Sequence, residues 1–374
     1  MDLKDDFPCE PASQPGRKPE EVRDFSIPVN PLGPSKRAER KMVKNLSAAL
    51  RFSEAPDRDL SETLARFHGL SAEEILLGAG ATEFVRFLPR ALLVRRALMV
   101  TPISGKYEKA LEAIGHDLQT QIDYFEAQEE DGFEVDVNGL ISSLTHGYDA
   151  LYLSNPGFPT GILTAKKDLD RVLAQTERHR TWFVLDETAI DFAEEDSLKD
   201  RVKTSSRLLI LRSFSNFFAI PGLRVGYLLG NREAIQKIRD PFPSRTVNAL
   251  GQLAAAESLR DQAYIRRTRE WVPKEMERFA QSLRSIPGFV PYPAAADFIL
   301  VQLLPFLGVD GGLLGEELLK QGVRIGDCGA HRLLASYFIF IALRSRRENN
   351  LLIKTLRKVT GDLPARRSAA ANTG

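Results

Sequence analysis

With 374 residues the chain is long enough for two cores, and 43% hydrophobic with 27% charged residues is the balance of a soluble globular protein. A formal net charge of +1 gives no bulk field that would hold nucleic acid or an anionic membrane. No run of 18 apolar residues is present to span a bilayer, the opening MDLKDDFPCEPASQPGRKPEE lacks the apolar stretch of a secretory signal, and two cysteines, Cys9 and Cys328, fit a reducing cytoplasm. The five histidines, His68, His116, His146, His179 and His331, are scattered, so no metal site is expected.

Residues 1–23, rich in proline, serine and charge, are expected to form a flexible arm. LSETLARFHGL (60–70) has helical periodicity with Gly69 as its stop, and EILLGAG (74–80) is a short apolar run ending in glycines, followed by the helical EFVRFLPRALL. Next come the strand RALMVTP (96–102), the helix YEKALEAIGH ended by Gly115, the strand DALYLSNP (149–156) and the helix LDRVLAQTERH. TWFVLDE (181–187), RLLILRSFS (207–215) and LRVGYLLG (223–230) read as three further strands. Apolar strands alternating with amphipathic helices predict an α/β domain over 24–245, built on a mostly parallel sheet between helices with its ligand site at the strand C-terminal ends. From about 240 the texture turns to long helices (ALGQLAAAESL, EWVPKEMERFAQSLRSI), then the short strands FILVQL and FIFIAL and the helix ENNLLIKTLRKV. This predicts linking helices and a smaller α+β domain over 246–362, followed by a disordered tail at 363–374. The basic runs RRTRE (266–270) and RSRRE (344–348) read as solvated helix faces.

Four polar or glycine-bearing segments fall at predicted strand ends: GAGATE (78–83), SNPGFPTG (154–161), LDETAIDF (185–192) and SFSNFFAIPGLR (213–224). In this order they resemble the pyridoxal-phosphate (PLP) enzymes of fold type I, the class I/II aminotransferases. Within that group the similarity runs to histidinol-phosphate aminotransferase and threonine-phosphate decarboxylase, a cobalamin-pathway enzyme, over about residues 24–360, with DFSIPVNPLGPS (24–35) resembling that subgroup's opening. The resemblance implies a seven-stranded-type sheet and a homodimer with its cofactor at the subunit interface. It implies that Gly80, Ala81 and Thr82 cradle the cofactor phosphate at a helix N-terminus, with Ser213, Ser215 and Arg224 clamping it. Asp186 matches the carboxylate that keeps the pyridine nitrogen protonated, and Asn155 the donor to the ring oxygen. Asn30 and Phe340 fall at substrate-side positions.

The pattern fails where chemistry would occur. Asn216 stands at the Schiff-base lysine, and an amide neither forms an imine nor shuttles a proton near neutral pH. Ser104 replaces the aromatic that stacks on the ring, Ala189 a tyrosine near its oxygen, Phe52 the tyrosine that reaches a neighbour's phosphate, Ala79 the cradle asparagine, and Phe340 the arginine that grips a substrate carboxylate. Losses that share only the cofactor and substrate predict a fold whose Schiff-base activity is gone, left with a binding or regulatory role. It would hold PLP non-covalently, hold another small phosphorylated ligand, or have lost the cofactor. Two alternatives stay open. One is an active decarboxylase or aminotransferase of phosphorylated amino acids that uses Lys106 or an external amine; Lys199 and Lys203 are expected to lie out of reach. The other is chemistry on a preformed cofactor adduct, which would still need a base.

Overall fold

The computed structural model describes residues 22–51, 57–243, 246–329 and 331–371. Its twelve strands are β1 (Arg23–Phe25), β2 (Ile75–Gly78), β3 (Arg96–Thr101), β4 (Gln121–Glu126), β5 (Ala150–Ser154), β6 (Trp182–Asp186), β7 (Leu208–Ser213), β8 (Gly226–Gly230), β9 (Phe289–Pro291), β10 (Phe298–Leu303), β11 (Val323–Asp327) and β12 (Phe338–Ala342). Between them run α1 (Lys36–Arg51), α2 (Asp57–His68), α3 (Ala81–Ala91), α4 (Lys106–Leu118), α5 (Val137–Ser143), α6 (Lys166–Arg178), α7 (Arg232–Arg239), α8 (Ala249–Arg260), α9 (Gln262–Arg284), α10 (Gly311–Lys320) and α11 (Arg346–Ala371).

Seven strands form one sheet in the order β2-β8-β7-β6-β5-β3-β4. The pairs from β7 through β6, β5 and β3 to β4 are parallel, whereas β8 runs antiparallel to both neighbours. Strands such as β5, β6 and β7 are buried along almost their whole length because helices cover both faces, which is why they read as unbroken apolar runs. The chain crosses from β4 over β3 to β5, reversing its direction along the sheet, and the crevice at the C-terminal ends is where Ser154, Asp186 and Ser213 stand.

A second sheet, β1-β11-β12-β10-β9, gathers the C-terminal strands, and β1 pairs with β11 in parallel. The opening of the chain therefore joins the smaller sheet rather than the larger one, a departure from the boundary read at residue 24. The two sheets meet over the crevice, where Phe298 of β10 and Phe340 of β12 face the loop after β5.

Three further expectations change. Gly115 lies inside α4, which continues to Leu118 and ends at the left-handed Gln119. The last helix runs on to Ala371, past the point at which the tail was expected to lose order. Each basic run also sends one arginine inward: Arg269 Nε donates to the Asp191 carbonyl at 2.9 Å, and Arg344 donates to the Asp24 and Ile27 carbonyls at 2.8 and 2.6 Å. Cys328 is a buried thiol, and Cys9 and Phe52 lie outside the described residues. Among the described residues there is no helix long and apolar enough to cross a membrane and no cluster of metal-binding side chains.

Candidate functional site

At the strand ends lies a cavity of about 330 Å³. The segment after β7 shapes one side of it. Phe214, Phe217 and Phe218 are buried and touch one another through ring contacts at 4.9 and 5.0 Å, which pins the loop to the core. Ser213, Ser215 and Asn216 are left on the cavity side. The loop closes on itself through Ala219 N to the Asn216 carbonyl at 3.2 Å and Ile220 N to the Phe214 carbonyl at 3.3 Å.

Asn30, expected on the substrate side, does not line the cavity. It is buried behind the loop, where its backbone N donates to the Asn216 carbonyl at 3.0 Å and its Nδ2 to the Phe217 carbonyl at 2.7 Å. Tyr264 Oη donates to the same Phe217 carbonyl at 2.8 Å. Asn30 thus positions the backbone of residue 216 and touches nothing in the cavity.

Arg224 ends the turn Pro221–Leu223 in a left-handed conformation (φ 50°) that brings its guanidinium across Gly80. A Cβ built on Gly80 would come within 2.7 Å of Arg224 Nη2, and one on Gly226 within 2.5 Å of the Ala81 nitrogen. Both glycines are therefore needed for the guanidinium and the start of α3 to meet. Ala81 and Thr82 open α3 on the cavity wall, where first-turn N–H groups have no intrahelical acceptor. Glu83 Oε2 already accepts from Ala79 N at 2.6 Å, one residue upstream. Ser213 Oγ and Ser215 Oγ sit 3.0 Å apart beside them. Among the described residues the Arg224 guanidinium forms no ion pair and no hydrogen bond, so the fold supplies no internal counterion at this place.

Asp186 stands on the cavity at the end of β6. Its Oδ2 accepts from Tyr107 Oη at 2.8 Å and its Oδ1 from Thr188 N at 2.9 Å. Burial and the neighbouring carboxylate push the Tyr107 hydroxyl well above its usual range, so it remains a donor. The motif TPISGKY holds this tyrosine, but nothing in its spacing reveals the bond to Asp186.

Asn155, expected as the donor to a ring oxygen, is fully buried and closed on its own loop: Nδ2 donates to the Thr164 carbonyl at 3.1 Å and Oδ1 accepts from Thr164 N at 2.7 Å. This loop offers Pro156 and Phe158 to the cavity instead. His331, unassigned by sequence, also lines the wall, with Nδ1 3.4 Å from the Ile103 carbonyl. A carbonyl only accepts, so Nδ1 carries the proton and Nε2 offers a lone pair. Burial lowers the pKa of this imidazole and keeps it neutral. Ser104, Ala189, Asn216 and Phe340 line the same cavity, as do Lys106 and Lys109, while Lys199 pairs with Glu194 and Lys203 donates to the Gly69 carbonyl.

The Aminotransferase class I and II family model matches residues 24–333. The chain belongs to that family. As an aminotransferase-family protein it is 33% identical over 359 residues to the threonine-phosphate decarboxylase of Salmonella typhimurium, covering 95% of this chain and 96% of that one. Its fold is similar to that of the histidinol-phosphate aminotransferase from Clostridium acetobutylicum (TM-score 0.81, 26% identity, 91% and 100% of the two chains). It is also similar to the L-threonine-O-3-phosphate decarboxylase from Porphyromonas gingivalis (TM-score 0.77, 25% identity, 90% and 99%). The family uses PLP. Here the phosphate end fits such a cofactor, since an unpaired guanidinium, two hydroxyls and free helix N–H groups converge there. Asn216, which lines the same cavity, has no amine through which to attach such a group covalently.

Proposed function

We propose that this aminotransferase-family chain binds PLP or a related phosphomonoester non-covalently and works as a binding or regulatory protein rather than through a Schiff base. One observation carries the reading: among the described residues the Arg224 guanidinium has no partner of its own beside Ser213 and Ser215, while residue 216 facing the same cavity is an amide. Arg224 and the two serines would bind the phosphate, and Ala81 and Thr82 would orient it. Asp186, held by Tyr107 and Thr188, would meet a ring nitrogen. Bound PLP supplies an electron sink, yet without an amine at 216 nothing on this loop attaches it or moves a proton beside it.

The test is calorimetric and spectroscopic titration of native protein with PLP, beside Asn216→Lys. Native protein should take up PLP without borohydride fixing it to any lysine, and the variant alone should turn yellow and be fixed at residue 216. Borohydride labelling of a lysine in native protein would overturn the reading.

A second reading, an active decarboxylase or aminotransferase of a phosphorylated amino acid, draws support from Lys106 and Lys109 on the cavity wall. Turnover of O-phospho-threonine or histidinol phosphate by PLP-saturated native protein would establish it. We further propose a homodimer, checked by light scattering on a sizing column.

A further inference from the structure

The cavity has a second wall whose chemistry differs from the phosphate end. Phe158, Phe298 and Phe340 meet edge-to-face, with both pairs of ring centroids 5.3 Å apart and interplanar angles of 70°. Phe340 is seated by Gly326, where a Cβ would lie 2.2 Å from the ring, so the ring cannot swing toward β11 to admit a larger polar group. His331 also contacts this cluster: its ring lies 5.9 Å from that of Phe158 and is kept neutral by burial. The cations nearby are committed elsewhere. Arg344 donates to three backbone carbonyls, those of Asp24, Ile27 and Leu343, and Lys106 and Lys109 each have an interaction of their own. A carboxylate placed against this wall would lose its hydration and gain no counterion. An alkyl or aryl group would gain contact with three rings.

We propose that this aromatic wall makes the protein select phosphomonoesters whose far end is uncharged and apolar, and reject those ending in a carboxylate, as an amino-acid adduct of the cofactor does. The inference rests on the reading that the Arg224 end holds a phosphate.

The probes are two stable secondary amines, N-(5′-phosphopyridoxyl)-ethylamine and N-(5′-phosphopyridoxyl)-alanine, which differ by one carboxylate and need no lysine to bind. Calorimetric titration of native protein should show the ethylamine conjugate at least about tenfold tighter, and Phe340→Arg should reverse that order. Phe158→Arg, in a loop outside the strands, makes the same test if the Phe340 variant does not fold. Equal affinities in native protein, or a preference for the alanine conjugate, overturn the selectivity while leaving phosphate binding intact. Failure of both conjugates and of PLP to bind overturns the phosphate reading, and the selectivity with it.

Discussion

The ends of β6 and β7 carry charge on two faces in opposite ways. Toward the cavity stand the half-buried Asp186, the buried Ser213 and, beyond them, the half-buried Arg224, whose guanidinium donors are left open among the described residues. On the other face the adjacent residues, Glu187 just after Asp186 and Arg212 just before Ser213, are fully buried. Arg212 meets Glu187 at 3.0 Å, Glu194 at 2.9 Å and Asp191 at 3.3 Å, and Ser197 Oγ donates to Glu187 while accepting from Arg212. Lys199 also pairs with Glu194, and His68 sits 3.9 Å from it with Nε2 against Tyr227 Oη. The pleat of the sheet separates a network whose charges are paired with one another, although both Asp191 oxygens and His68 Nδ1 have no hydrogen-bond partner there, from a face whose cation is unpaired. One holds the fold together; the other is built to bind.

Removing the central cation of the closed network should have the largest effect. Arg212→Met leaves three carboxylates buried without their central cation, with Lys199 and Arg269 reaching only the Glu194 side, and should cost at least about 3 kcal/mol in urea denaturation, or prevent folding. The matching change on the open face, Arg224→Ala, should leave stability within about 0.5 kcal/mol and weaken PLP binding by roughly ten- to a hundredfold in calorimetry. Equal losses of stability in the two variants would erase the distinction between the faces.

A smaller effect follows from pH. Burial, reinforced by the Arg212 charge, pushes the His68 imidazole from 6.5 down to about 3, so the fold holds it neutral. Its contribution is complete above about pH 6.5, where the unfolded chain is neutral too, and declines as pH falls toward 3, by about 1.4 kcal/mol per unit. Asp191, raised to about 6 by burial, acts in the opposite sense and loses stability as pH rises from 3.8 to about 6, so the whole protein shows only the difference. The stability gap between native protein and His68→Gln isolates the histidine: it should narrow steadily below pH 6.5, and a gap independent of pH would show that His68 is not held neutral. The smallest effect is expected at the cavity. Asn216→Ala should move stability by less than about 0.5 kcal/mol, because the amide has no partner among the described residues to lose.

The larger sheet was legible in the sequence because doubly covered parallel strands are apolar up to their C-terminal ends, as WFVL and LLIL show. The strand β4 was not, since an edge strand with every residue partly exposed leaves no apolar run. Helix α1 escaped for a related reason: among its described side chains Ala38 alone is fully buried, so no apolar stripe marks the face packed on α8. At the site, Asp186, Ser213, Ser215, Arg224 and the amide at 216 could be placed from motifs. Asn155 and Asn30 could not, because a motif gives a position in the chain and not the direction in which an amide turns. Asn155 closes on Thr164, and Asn30 lies behind the loop it was expected to face. His331 arrives from the other sheet and had no local signal.

Asn30 and Tyr264 grip the loop by the carbonyls of Asn216 and Phe217, atoms that every amino acid carries. The architecture is consequently blind to the side chain at 216. Purifying selection for a well-folded chain would retain these clamps and the three phenylalanines while exerting no pull on that codon. A lysine at 216 would be retained only by chemistry that needs it, and Asn and Lys codons are a single base apart.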